Sequence, residues 1–530
     1  MRALVFQIFH VQFVIPERPR HMSNPNPPAC AAHAPLWLIW LGVLALAGYG
    51  RFIERNFSIV AGGSDSSGYL NSARLMAAGE LQANLRAPVE FGPVETLNQF
   101  HFLPLGFWPY TKDGKITPTY PTGLPIHFAL AGKLTDWFVG PRLVGLFAAL
   151  GAVWLCYAVG REFGLDARLA AAGAVTLAVC PVFLFTSFQP ISDTLATTWA
   201  LAAVWAGLRA RRHAAWAIGC GLACGIAVLV RPTNLILLPT LILLLGLDWR
   251  RLALATAGGL PGVAWLAFYN NALYGGTLQS GYGDIFVSFA WSWGPITAWH
   301  FLKWLAVLLP TPLLLLPLFT LKQSERRNRQ LLALAIWFAA FTGLYTFYVV
   351  SHETWWCLRF LLPGMPALII AGLLGVEAIG DRYKAAQQNR FRTMAAVILA
   401  CWAIGGSVYW YRHFALGEIN NGEKTYAKAC KLARTQFPAD TLIVTFEFSG
   451  AFYYYTDFPI LRWDQVEPEQ FARYARLAQK AGRTIGAVGF RWEEQSALKE
   501  HCPGNWVRVG EVGDAVLWRL AAPTPPVQKP

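Results

Sequence analysis

The chain has 530 residues, 55% of them hydrophobic and only 14% charged, with a mean hydropathy of +0.37. Soluble domains carry about 25% charged residues, so this balance excludes an ordinary soluble enzyme and points to a polytopic membrane protein. The net charge of +14 would suit a nucleic-acid binder, but the basic residues fall in short loops between apolar runs, the pattern of positive-inside bias, and no nucleic-acid partner is expected.

The first segment, "MRALVFQIFHVQFVIPERPRHM", has an apolar stretch too short to span and lacks the order of a signal peptide. We read Met22 as the initiator and residues 1–34 as a disordered cytoplasmic N-terminus. A span needs about 20 apolar residues. Such runs fall near 35–53, 142–160, 167–187, 191–208, 214–230, 232–247, 251–271, 301–320, 331–350, 360–379 and 393–411, which makes about eleven spans.

A twelfth candidate, 121–138 ("PTGLPIHFALAGKLTDWF"), is decided by charge parity. With Arg18 and Arg20 in the cytoplasm and 121–138 not crossing, five basic loops fall inside: Arg161/Arg168, "RARRH" (209–213), "DWRR" (248–251), "KQSERRNR" (322–329) and "DRYKAAQQNRFR" (381–392). If it crosses, all five fall outside, against the rule. It is therefore expected to be a juxtamembrane or re-entrant helix within a long first outer loop, 54–140, and the C-terminus is expected outside. Residues 416–521 change character. "TLIVTF", "PILRW", "TIGAVGF" and "DAVLWRL" read as buried strands alternating with helical patterns at 468–482 and 491–502, a small α/β domain. The tail 522–530 reads as disordered.

The nine cysteines show no metal-ligand spacing. Cys220 and Cys224 in "GCGLACG" suggest a small-residue packing face. Cys430 and Cys502 would both face an oxidising compartment, where a disulfide is an even-handed expectation.

On the outer side, ionisable groups stand out because a bilayer disfavours them. Asp65, in "GGSDSSGYLNSARLMAAGEL", precedes a helix at 67–79 whose apolar side carries Tyr69, Leu70, Ala73, Leu75 and Met76. Asp65 is read either as the cap of that helix or as a functional carboxylate. Asp193, in "FQPISD", lies in a short outer turn and has the same two readings. Arg231 ("VLVRPTN"), Lys303 ("HFLKWL"), and His352, Glu353 and Arg359 ("SHETWWCLRFLLPGMP") place cations at the disfavoured side. Arg is suited to bidentate phosphate binding, and snorkelling is the alternative. "YPTGLP", with Tyr120, and "YNNALYGGTLQSGYG" add aromatics for sugar stacking or an interface belt.

Taken in order over about 400 residues, "SDSSGYLNSARLMAAGEL", "YPTGLP", "PRLVGLFAALGAVWLCYAVGREFG", "FQPISD", "GIAVLVRPTN", "YNNALYGGTLQSGYG" and "WWCLRFLLPGMPAL" resemble the GT-C superfamily of membrane glycosyltransferases. The similarity is greatest to its protein O-mannosyltransferase-like and aminoarabinose-transferase-like members, which use polyprenyl-phosphate sugars. It implies a mainly α, polytopic membrane bundle whose catalytic module covers 35–415, followed by the extracytoplasmic α/β domain, in a bacterial-type inner membrane. Asp65 then matches the catalytic first-loop aspartate, Asp193 an acidic position of the second outer loop, and Arg359 a basic residue near the lipid phosphate. Many members have Asp-Glu where this chain has Asp65-Ser66, which leaves a divalent metal an open requirement. The expected activity is inverting transfer of a sugar from a polyprenyl-phosphate donor to a hydroxyl on a glycan, lipid or protein. A transporter or flippase, and a non-catalytic assembly subunit, are the rival readings.

Overall fold

The computed structural model describes residues 36–109, 114–283, 285–321 and 324–521; the segments expected to be disordered, 1–34 and 522–530, and the start-site reading at Met22 lie outside the described residues. The chain divides into two units, residues 1–48 and 49–530. The described part of the first is the opening of helix α1 (Leu36–Asn56), and everything below concerns the second.

The long first loop contains α2 (Asp65–Ala78), strands β1 (Ala83–Asn84), β2 (Phe107–Pro109) and β3 (Lys115–Pro118), and α3 (Gly123–Leu134). The three short strands form an antiparallel sheet in the order β1-β3-β2. The helical body follows: α4 (Gly140–Glu162), α5 (Ala167–Val179), α6 (Pro181–Ser187), α7 (Ser192–Ala210), α8 (Trp216–Val230), α9 (Leu238–Leu245), α10 (Trp249–Tyr274), α11 (Gly294–Leu308), α12 (Pro312–Leu315), α13 (Glu325–Tyr345), α14 (Met365–Gly380) and α15 (Ala385–His413).

The expected apolar runs fall on helical segments, but 301–320 is divided among the end of α11, α12 and a 3₁₀ turn, and 232–247 begins in a 3₁₀ turn before α9. Among the described residues, α4, α10 and α15 are each long and apolar enough to cross a bilayer, and two bent pairs pass together. The first pair, α5 and α6, bends by 59° where Pro181 removes a backbone donor. The second joins a 3₁₀ turn, Trp355–Leu361, to α14 at 84° across Pro363 and Gly364. Helix α3 has 12 residues, about 18 Å, too short to span. The Gly221–Gly225 face of α8, in the "GCGLACG" stretch, packs on the Gly258–Gly262 stretch of α10.

One end of the helical body gathers the basic loops. Arg168 donates to the Asn389 carbonyl at 3.0 Å, Arg209 and Arg212 pair with Glu162, and Arg392 pairs with Glu377 and Asp381. Helix α7 carries Arg209 in its last turn and Asp193 in its first. Its length, about 28 Å, is close to the thickness of a bilayer core.

The C-terminal part has α16 (Ile419–Gln436), β4 (Leu442–Val444), α17 (Ser449–Tyr455), β5 (Ile460–Leu461), α18 (Pro468–Lys480), β6 (Ile485–Phe490), β7 (Trp506–Val512) and β8 (Ala515–Leu520). The sheet order is β5-β4-β6-β8-β7, with β4 parallel to β5 and β6, and β8 antiparallel to β6 and β7. The expected strands are present, and β7 adds a fifth. Cys430 and Cys502 are both buried free thiols. They lie in separate apolar clusters, with Ile443 in one and its neighbours Leu442 and Val444 in the other. Because side chains alternate across a strand, the two thiols lie on opposite faces of the sheet and cannot meet.

Candidate active site

Four charged residues from distant parts of the chain meet at the end of the helical body away from the basic loops. Each is placed by a local feature of the sequence. Asp65 opens α2, directly after a turn in which Gly63 has φ +50°, a left-handed conformation suited to glycine. Asp193 lies in the first turn of α7, where Pro190 has stopped α6. Arg231 precedes Pro232, which drives it out of helix into an extended conformation (φ −152°, ψ 104°) as α8 ends. Arg359 is carried by the 3₁₀ turn before the 84° bend.

Neither aspartate caps its helix: no side-chain cap hydrogen bond is made at the start of α2 or α7. Arg359 Nη1 instead donates to Asp65 Oδ2 at 2.8 Å and stands 3.9 Å from Asp193 Oδ2. Arg231 Nη1 pairs with Asp193 Oδ1. The Tyr120 hydroxyl donates to Asp65 Oδ1 at 2.7 Å and also meets Ser64 Oγ at 2.7 Å. Tyr69 stacks near Tyr120, with ring centroids 4.7 Å apart, and donates to Ser192 Oγ at 2.9 Å. The side chain of Asp193 is 3% exposed and that of Asp65 33%. Asp193 is therefore an anchor for the guanidinium groups, and Asp65 is the carboxylate a substrate can reach.

Two carboxylates against two guanidinium groups leave the cluster electrically balanced, as buried charges require. Burial pushes the Asp65 carboxyl up, but the charge of Arg359, the hydrogen bonds from Tyr120 and Arg359, and the more distant Arg231 outweigh it, so its pKa lies below the ordinary 3.8. Asp65 is ionised at neutral pH. Burial and the Asp65 carboxylate hold the Tyr120 phenol well above its ordinary range, so Tyr120 stays a donor. Arg359 Nε is buried without a partner among the described residues, an unused donor beside the cavity.

These residues line a cavity of about 1000 Å³. Tyr69, Tyr120, Asp65, Asp193, Arg231 and Arg359 all contribute to its wall, together with Tyr269, Asn270, Tyr274 and Tyr282 from the "YNNALYGGTLQSGYG" stretch. Lys303, His352 and Glu353 do not line it. Lys303 is exposed over the Trp304 ring, His352 stacks on Trp293, and Glu353 is exposed. Sequence reading passed over Tyr345 and Tyr348, also in the wall, because they sit in an apolar run that reads as a span. Among the described residues no three His, Cys, Asp or Glu side chains come together as metal ligands. With both aspartates already held by arginine, this donor set does not fit a protein-bound divalent ion.

The same architecture and part of the sequence recur in known proteins. Residues 118–270, which include Tyr120, Asp193 and Arg231, match the family model of dolichyl-phosphate-mannose-protein mannosyltransferases. The crystal structure of ArnT from Cupriavidus metallidurans bound to undecaprenyl phosphate matches with a TM-score of 0.59 at 14% identity, over 93% of this chain and 100% of that one. The chain shares the fold of that structure. Two further solved structures match less fully. The Archaeoglobus fulgidus oligosaccharyltransferase has a TM-score of 0.50 at 12% identity, covering 85% of this chain and 70% of that one. A mutant of the mycobacterial arabinofuranosyltransferase AftD has a TM-score of 0.51 at 13% identity, covering 92% and 42%. A search of curated proteins gave no significant match. Asp65 and Arg359 lie outside the matched family segment, and their pairing is known from the geometry alone.

Proposed function

We propose that this GT-C chain transfers a sugar from a polyprenyl-phosphate donor to a hydroxyl acceptor at the outer face of a bacterial-type inner membrane, with Asp65 as general base. The observation that carries this reading is Asp65 itself: the most open carboxylate of the cluster, ionised, and held by Tyr120 and Arg359 on the cavity wall. The fold shared with ArnT bound to undecaprenyl phosphate supports a polyprenyl-phosphate donor. On the sequence reading of about eleven crossings, positive-inside bias supports a cytoplasmic basic end, with the cavity and the C-terminal α/β layer outside.

In the reaction, the acceptor oxygen attacks the anomeric carbon as the bond from that carbon to the phosphate oxygen breaks. The electron pair leaves with the lipid phosphate, and the hydroxyl proton passes to Asp65. Direct attack inverts the anomeric centre. A base of low pKa suffices because the leaving group is a stabilised phosphate anion, whose negative charge Arg359 and Arg231 accommodate. Arg359 Nε is free for the incoming oxygens, so the phosphate need not displace Asp65 from Nη1. Tyr69 and Tyr120 present aromatic surface to the sugar. No step uses a metal ion.

Envelope glycans and lipid-linked sugars from a deletion strain, complemented with wild type or Asp65→Asn, test the reading by mass spectrometry. The wild type should restore a sugar-bearing product. The variant should be expressed, still bind undecaprenyl phosphate, and lose transfer by about 10²–10⁴-fold, the usual contribution of a positioned base. Full turnover by Asp65→Asn would remove it from the base role. Transport of a lipid-linked substrate in proteoliposomes, with no glycosyl product, would favour a flippase.

A further inference from the structure

The turn that carries Asp65 is held from the C-terminal layer as well as from the helical body. Tyr455 of α17 donates no bond here but accepts one from the Ala61 N–H at 3.1 Å, and Asn71 of α2 donates to the Gly450 carbonyl at 3.1 Å. The closest approach is made by α16. A Cβ added at Gly62 would run into the Glu423 carboxyl and stand 2.8 Å from Tyr426 Cδ2. Gly62 in turn accepts from the Ser67 N–H at 3.2 Å, and Ser64 from the Gly68 N–H at 3.0 Å, so the first turn of α2 hangs on the carbonyls of the segment that Glu423 touches. Glu423 Oε2 is buried there with no hydrogen-bond partner among the described residues.

We propose that Glu423 is a positioning residue for Asp65, bracing the Gly62–Ser64 turn as a neutral carboxylic acid and releasing it when ionised. The functional meaning rests on Asp65 as the base; the mechanical claim does not. The groups facing Glu423 are Tyr426 on its own helix, the Gly62–Gly63 backbone of the turn, and Glu447 after β4. Behind Glu447 lie Glu493, Arg462 and Asp464. No cation acts on Glu423 directly, and burial together with the Glu447 carboxylate pushes its pKa from 4.5 up to about 7.

The sign of the effect follows from proton linkage. A carboxyl whose pKa is raised by its seated position contributes fully below its ordinary value, loses that contribution as pH rises to the seated value, and changes nothing further above it. Release of the turn therefore becomes more frequent between pH 4.5 and about 7 and is flat beyond, with a limiting slope of about tenfold per pH unit for one proton.

Hydrogen–deuterium exchange on the full-length protein in nanodiscs, followed on peptides covering residues 61–73 and corrected for intrinsic exchange, tests this without any substrate. In the wild type, exchange of that segment should rise by about 40-fold from pH 5 to 7 and then level off, while peptides of α18 stay flat. Glu423→Gln, which cannot ionise, should abolish the rise. Glu447→Gln removes the charge that raises Glu423 and should move the plateau to lower pH. A wild-type rise that persists in Glu423→Gln, or a plateau unmoved in Glu447→Gln, would overturn the proposal. If the sugar-transfer reading fails, these results stand unchanged. If it holds, kcat should decline over the same interval in the wild type at steady KM, and Glu423→Gln should lose that decline.

Discussion

Asp65 divides its two oxygens between a phenol and a guanidinium group, and each fixes a different property. Arg359 supplies charge, and Tyr120 supplies direction and a further pull towards ionisation. With its pKa below 3.8 in the folded protein, Asp65 keeps its charge, and the stability that comes with it, above that value and loses both as pH falls through the lowered one. The acid limb of kcat/KM should therefore lie below the ordinary carboxylate range. Tyr120→Phe removes a hydrogen bond to the ionised form, so the limb should move up, which a pH–rate profile of the variant reads. The Asp193–Arg231 pair answers to stability. Breaking a buried pair by removing one partner costs about 3–5 kcal/mol. Arg231→Ala should fall at the low end because Arg359 lies 3.9 Å from Asp193. A thermal unfolding series that includes Asp193→Ala/Arg231→Ala should show the double variant more stable than Arg231→Ala. All four charges were legible in the sequence, because ionisable residues on the outer side of apolar spans are costly to keep. Their partners were not: Asp65 and Arg359 are 294 positions apart, and Asp193 and Arg231 are 38 apart. No local pattern encodes such pairings.

At the scale of elements, α2 differs most from its sequence pattern. Its apolar residues suggest a helix lying on a surface, yet Ser66 to Ala73 are buried on every side. Asn71 is satisfied by a tertiary contact with the Gly450 carbonyl and Ser67 by the Gly63 carbonyl one turn back, while Ser72 Oγ is buried without a partner among the described residues. Periodicity finds a helix but cannot report which polar residues will gain partners. The edge strand β7 escaped notice for a related reason, since its charged residues Arg508 and Glu511 break the apolar run expected of a buried strand. The packing of α2 carries its own prediction. Gly68 lies against the Tyr120 ring and the backbone of Gly106, and an added Cβ would overlap the ring and stand 3.0 Å from Gly106 Cα. Overpacking of this kind costs about 1–3 kcal/mol, and the ring is the part that can yield. Gly68→Ala should push Tyr120 off Asp65 and reproduce the upward shift of the acid limb expected of Tyr120→Phe, with a larger loss of transfer. An unshifted limb in Gly68→Ala would show that Tyr120 holds its place by other contacts.

For the molecule as a whole, orientation follows from where charge is tolerated. The basic loops converge at one end, tied by Arg168 to Asn389 and by Arg392 to Glu377, while the balanced cluster of Asp65, Asp193, Arg231 and Arg359 occupies the other. Under the proposed orientation, positive-inside bias puts the first end in the cytoplasm. The C-terminal layer touches α2 through Gly450 and Tyr454 and the segment before it through Tyr455, so it must lie on the same side as the cavity. The consequence is testable with thiol labelling, because seven of the eight described cysteines are buried and Cys401 alone is exposed. In a Cys401→Ser background, a cysteine placed at exposed Lys480 on α18 should react with a membrane-impermeant maleimide in intact spheroplasts. One at exposed His213, in the "RARRH" loop, should react only after the membrane is opened. The reverse pattern would put the cavity in the cytoplasm.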